Sequence, residues 1–149
     1  LYCADCNDGG MLISGDMVLP RISTNVSVHA INPDGDPLGL FLASLTHYAQ
    51  LPPETLILPS HGLPFHGLRP RVAALHAHHE ERCGVLLAAC NTPKTAYELL
   101  PVLFTRALDM HQIMFAMGEA IAHLNYLEHG GKLRRLDNGD GVIHFVKEA

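Results

Sequence analysis

Thr55-Leu56-Ile57-Leu58-Pro59-Ser60-His61-Gly62 is the stretch on which the reading of the chain turns. Its short apolar run has the length of a buried strand, and the proline stops it. The loop after it carries His61, a side chain able to hold a metal. Upstream, Met11-Leu12-Ile13-Ser14-Gly15-Asp16 repeats the arrangement, a short strand and then a loop bearing a carboxylate. Layered α/β folds assemble their sites on strand-end loops, because rigid strands hold those loops in place. Before this second strand, Leu1 to Asp5 reads as another. The intervening Cys6-Asn7-Asp8-Gly9-Gly10 supplies the positive φ that a hairpin turn demands.

Working outward, Met17 to Asp36 has no helical period and ends in the turn cluster Asn32-Pro33-Asp34-Gly35-Asp36. Asp36-Pro37 then pairs an N-cap with proline at the first helical position. Leu38, Phe41, Leu42, Leu45 and Ala49 come next at helical spacing, and Leu51-Pro52-Pro53 ends the helix. A second helix is predicted from Pro70 to about Cys90. Its last part, Gly84 to Cys90, is apolar on nearly every face, which predicts burial on several sides. Asn91-Thr92-Pro93 marks a boundary. Thr95-Ala96-Tyr97-Glu98 is a capping box and predicts a helix from there to the region of Pro101. Met110, Ile113, Met114, Met117, Ile121, Leu124 and Leu127 keep helical spacing until Gly130-Gly131. Lys132 to Arg135 and Val142 to Val146 flank the hairpin turn Asp137-Asn138-Gly139-Asp140-Gly141. Three helices followed by a hairpin is the winged-helix layout.

Composition narrows the classes. Of 149 residues, 48% are apolar and 17% charged, so a core can form and global disorder is excluded. No apolar run approaches the roughly 20 residues of a membrane span, and no secretory signal pattern is visible. A net charge of −5 argues against a protein that coats nucleic acid. Four cysteines are too few for a disulfide scaffold and point to the reducing cytoplasm. The eleven histidines outnumber the ten lysines and arginines together. Position 1 is Leu inside an apolar run, as expected of the C-terminal part of something longer.

Several side chains have a plain reading beside a sharper one. Cys3 and Cys6 form a Cys-x-x-Cys without a second pair for zinc, and read as structural thiols. Cys83 and Cys90 read as core. His66 reads as a surface-loop residue. His76, His78 and His79 lie on one helix and read as a solvated or interdomain face. The i, i+3 pair His76/His79 could still take up adventitious zinc. The methionine stripe reads as core at helical spacing, with His111, Gln112, Glu119 and Asn125 on the opposite, polar face. From Asn91 onward six cations face seven anions, a balance poorly suited to duplex phosphates. Lys132, Arg134 and Arg135 could touch one anionic group.

Leu12-Ile13-Ser14-Gly15-Asp16, Leu19-Pro20-Arg21-Ile22 and Pro59-Ser60-His61-Gly62 resemble the last two metal-ligand motifs of the metallo-β-lactamase-fold hydrolases. The helix with His78-His79-Glu80-Glu81-Arg82, then Thr95-Ala96-Tyr97-Glu98-Leu99-Leu100, resembles the appended winged-helix domain of one subgroup. So does the run His123-Leu124, Leu127 and Gly131-Lys132-Leu133. That subgroup includes lactamase-B-like proteins of bacteria and an animal mitochondrial endoribonuclease. The resemblance implies an α+β fold, the C-terminal half of an αββα metallo-β-lactamase sandwich followed by a winged-helix domain. Its expected limits are 1–69, a connecting helix 70–92, and 93–149. Asp16 would bridge two metal ions, most simply zinc, and His61 would ligate the second. A metal-bridged hydroxide would attack an ester, thioester, amide or phosphodiester. The family's His-x-His-x-Asp-His motif does not occur in these 149 residues and is expected upstream.

The implied function is therefore a dinuclear-metal hydrolase, with this chain inert alone. An endoribonuclease-type hydrolase of the same fold is the first alternative. A winged-helix DNA-binding regulator is the second. The expected partner is a small-molecule or RNA substrate, with no membrane and no tight duplex DNA; a homo-oligomer is left open.

Overall fold

The computed structural model describes residues 1–6, 9–137, 139 and 141–148. The expected turn residues Asn7, Asp8, Asn138 and Asp140 lie outside them. Among the described residues the elements run in the order β1 (Tyr2–Cys3), β2 (Met11–Gly15), α1 (Pro37–Tyr48), β3 (Leu56–Pro59), α2 (Leu68–Ala89), β4 (Lys94–Thr95), α3 (Leu100–Leu103), α4 (Met110–His129), β5 (Leu133–Asp137) and β6 (Ile143–Lys147). No helix among the described residues is long and apolar enough to cross a membrane. The chain forms two compact units, Leu1–Thr24 with Leu40–His78, and Asn25–Gly39 with His79–Ala149. As compact bodies these differ from a division by chain order at 69 and 92.

The first unit is built on a three-stranded sheet of order β1-β2-β3. β1 pairs antiparallel with β2, and β2 pairs parallel with β3, Leu12 opposite Ile57. A parallel pair needs a crossover, and the chain makes it through α1. Leu12, Val18, Leu19, Phe41, Leu45, Ile57, Leu68, Val72 and Leu75 are buried. Each such side chain contributes about 1.5–3 kcal/mol by leaving water. Cys3 and Cys6 are not the structural thiols read from the sequence; they form a disulfide across the Ala4-Asp5 turn. That turn brings the two Cα atoms to 5.6 Å, within the reach of the bond.

In the second unit the antiparallel sheet runs β4-β6-β5. β4 replaces the helix expected to start at the Thr95–Glu98 box. The box hydrogen bonds exist: the Thr95 N–H and hydroxyl donate to Glu98 Oε2 at 2.8 and 3.0 Å, and the Glu98 N–H donates back at 3.2 Å. They hold the Glu98 carboxyl below its usual range, the backbone donor most of all. Here they close a turn after a short strand, and the helix waits until Leu100.

α4 carries its own capping box. Asp109 accepts from the Gln112 N–H at 2.8 Å, and the Gln112 side chain accepts from the Asp109 N–H at 3.3 Å. The buried face of α4 is Ala116, Gly118, Ala120, Ala122, His123, Leu124, Asn125 and Leu127. The methionine stripe is therefore not all core, since Met110 is 82% and Met114 70% exposed. Asn125 and Glu119 are not on a solvated face either. Asn125 is buried and donates to the carbonyls of Pro33 and Gly35, both at 2.9 Å. With Val28 N–H donating to the Gly118 carbonyl at 3.0 Å, these bonds tie the 25–39 segment to α4. A segment without regular structure must satisfy its backbone groups somewhere, and α4 supplies the partners.

In the part of α2 that belongs to this unit the buried positions are His79, Cys83 and Leu86, with Cys90 just past the helix end. The end of the helix is thus one-sided rather than enclosed all round, and Val85 is 39% exposed. Burial pushes the Cys83 thiol up to about 11 and also raises Cys90, so both are inert core thiols. His79 is not on a solvated chelating face with His76. It is buried, with Nδ1 3.1 Å from His123 Nε2. His123 Nδ1 lies 2.8 Å from the Glu119 carbonyl, which can only accept. In a neutral pair His123 therefore donates through Nδ1, and its Nε2 accepts from His79.

Candidate metal centre

Two parallel strands side by side end at the same edge, so β2 and β3 deliver Asp16 and His61 together. The register shifts between Ile13 and Gly15, and Gly15 has φ +55°. A Cβ on Gly15 would meet nothing within 4 Å, so glycine is needed there for conformation and not for space. Bulges of this kind re-aim a side chain at the end of a strand. The Ser60 N–H donates to the Gly15 carbonyl at 3.1 Å, which joins the two loops.

The result is a compact polar group. His61 Nε2 lies 3.6 Å from Asp16 Oδ1, and the Ser60 hydroxyl donates to the same oxygen. Both side chains are open to solvent, Asp16 at 60% and His61 at 72%. A carboxylate beside an imidazole suits zinc and other divalent ions. These two residues fit as two ligands of such a site. No group of three or more metal-competent side chains occurs among the described residues. His66 is not drawn in; it is exposed, with Nδ1 3.0 Å from the Glu54 carbonyl. Ser60 stands in the Pro59-Ser60-His61-Gly62 motif, but the sequence alone assigns it no role. Its neighbour His61 was the only signal, and its role depends on the bulge that turns Asp16 toward it.

The loop after Asp16 packs on the loop after His61. Gly62 has φ +88°, and a Cβ there would fall 2.7 Å from Pro20 Cγ. Gly62→Ala is expected to cost about 1–3 kcal/mol, from the positive φ and the contact together. Urea unfolding checks this, and an unchanged midpoint would show that the loop yields freely. Pro20, Arg21, Ile22, His61, Leu63 and Phe65 are among the residues lining a cavity of about 500 Å³ at this edge.

An imidazole and a carboxylate thus meet at the carboxyl ends of two parallel strands in a mixed α+β chain. The model of the metallo-beta-lactamase-like C-terminal domain family matches residues 83–148. A beta-lactamase domain protein from Burkholderia ambifaria is 52% identical over 95% of this chain, with a TM-score of 0.91. A metallo-beta-lactamase family protein from Thermus thermophilus is 34% identical over 95% of the chain, with a TM-score of 0.79. The chain spans 42% and 43% of the lengths of these two proteins. No curated protein matches it. The chain belongs to the metallo-β-lactamase-like family.

Proposed function

We propose that Asp16 and His61 are two ligands of a dinuclear metal centre, most simply zinc, in a hydrolase acting on an ester, thioester, amide or phosphodiester. The observation that carries this reading is the 3.6 Å approach of the two side chains at adjacent parallel strand ends. Family membership supports the hydrolase class. Bound there, a metal would supply Lewis-acid activation of water and of the substrate oxygen. The chain's own part is orientation. β2 and β3 fix the spacing of the donors, and the Ser60 hydroxyl holds the carboxylate in one rotamer. With two donors here, the other ligands have to come from beyond these residues.

Residues 93–149 are read as a winged-helix module. The order of helix, short strand, two helices and hairpin supports this, as does the strand order β4-β6-β5. Its hairpin is a poor cationic reader. Arg135 is held by Asp34, by Glu128 at 2.8 Å and by Asn125 at 3.1 Å, while Arg134 lies 3.7 Å from Glu148. Burial works against the Arg135 charge, but Asp34 and Glu128 outweigh it and raise its pKa. These contacts favour a packing role over duplex binding.

Calorimetric titration of zinc into the chain tests the centre. Weak uptake is expected in the wild type, since catalytic zinc usually has three protein ligands. It should vanish in Asp16→Asn/His61→Ala, with no hydrolysis of a generic phosphodiester or thioester by either. Undiminished zinc uptake by the double variant would overturn the assignment.

A further inference from the structure

Arg21 and Ile22 also line another hollow, of about 330 Å³, together with Ser23, Arg71, Leu75 and His78. Its polar lining is two guanidiniums, a hydroxyl and an imidazole, and no carboxylate lines it. Arg71 spans the loop from α2, donating from Nε to the Leu19 carbonyl at 2.6 Å and from Nη2 to the Ile22 carbonyl at 2.8 Å. The backbone on either side of Arg21 is thereby fixed. Ser23 Oγ lies 3.5 Å from His78 Nε2. Of the three arginines in this unit, Arg69 and Arg71 donate to backbone carbonyls. Arg21 is exposed, and no hydrogen bond or ion pair engages it among the described residues.

Two cations converge here without a counterion among the lining residues. Burial alone pulls the Arg71 guanidinium down, and no carboxylate offsets it. An oxyanion would supply the missing charge and match the planar donor fork of Arg21, while Arg71, whose Nε and Nη2 are taken by the loop carbonyls, adds its charge. Arg21 also lines the cavity beside His61, whose other walls include Ile22, Leu63 and Phe65. Ile22 is 63% and Leu63 81% exposed, apolar surface that a ligand body would cover. Phe65 is held rigidly by paired backbone bonds with Ile57, at 2.8 and 3.0 Å.

We propose that the Arg21–Ser23–Arg71–His78 hollow is a phosphate-binding subsite, and that its ligand is a phosphomonoester with an apolar body lying against Ile22, Leu63 and Phe65. Only the placement of the reacting group at Asp16 and His61 rests on the metal-centre reading. The subsite itself needs no metal.

The test is an NMR titration of the metal-free chain, in EDTA and physiological salt, with phenyl phosphate and with inorganic phosphate. Phenyl phosphate is expected to bind saturably, shifting resonances of residues 20–23, 63–65, 71 and 78. Inorganic phosphate is expected to bind about tenfold more weakly, because it lacks the body that covers the apolar walls. Arg21→Gln, an exposed change that leaves the loop clamp in place, should weaken phenyl phosphate by about tenfold or more. Ser23→Ala should weaken it less. Equal affinity for the two probes, an unchanged Arg21→Gln variant, or shifts elsewhere would overturn the proposal. If phenyl phosphate binds while zinc ignores Asp16 and His61, the metal reading fails alone. If zinc binds there and phenyl phosphate does not bind, the subsite fails alone.

Discussion

Asp16→Asn in the metal-loaded, full-length protein is expected to lower metal content and turnover together, turnover by on the order of a thousandfold. Asparagine keeps the shape of the side chain and can still accept the Ser60 hydroxyl bond. What it loses is the charge that holds two cations near each other. Asp16 is largely exposed and lies at a strand end, so the fold has little at stake in it. Thermal melts of the metal-free wild type and variant should therefore agree within about 0.5 kcal/mol. Metal analysis after dialysis, read beside the rate, separates a lost ligand from a damaged fold. A metal-replete Asp16→Asn enzyme with full activity would remove Asp16 from the centre.

The elements that carry this site are legible because their signals are local. Short apolar runs bounded by Gly15 and Pro59 became β2 and β3, and Asp36-Pro37 became the start of α1. Asp16 and His61 were legible as strand-end residues of the right chemistry. Their meeting is implied by the family resemblance alone and not by the local pattern, because it depends on β2 pairing parallel with β3 and on a bulge at Gly15. Period alone also misjudged which faces are covered. Helical spacing groups Met110 and Met114 with Leu124 and Leu127, yet only the later pair is buried. Conversely, Asn125 and His123 look like surface residues by type. They are buried because Pro33, Gly35 and His79, distant in sequence, offer them partners. A two-residue strand such as β4 leaves no periodicity at all, and a capping box serves a turn as well as a helix.

Arg82→Met is expected to destabilise the second unit by about 3–5 kcal/mol at neutral pH, the cost of breaking a buried ion pair from one side. Arg82 Nη2 lies 2.9 Å from Glu119 Oε1, with both side chains only about 15% exposed. The guanidinium also sits 4.8 Å above the Phe104 ring, a contact that methionine can partly replace. Glu119 is the partner left behind. Burial already raises its pKa above the ordinary value, with Arg82 pulling the other way. Removing Arg82 lets burial act unopposed and raises the folded-state pKa further. Between the unfolded value near 4.5 and that raised value, the folded state keeps a proton that the unfolded state has lost. Stability therefore falls as pH rises through this window and is regained on acidification. The deficit of Arg82→Met relative to wild type should accordingly shrink as the pH is lowered from 7 toward 5. A variant that merely lost packing would show the same deficit at both pH values. Arg82→Met/Glu119→Leu should recover most of the loss, since replacing both charges with apolar groups removes the stranded carboxylate. Urea unfolding of the three proteins at the two pH values reads this directly. A pH-independent deficit, or a double variant no more stable than Arg82→Met, would show that the ion pair is not what holds α2 to α4 in this unit.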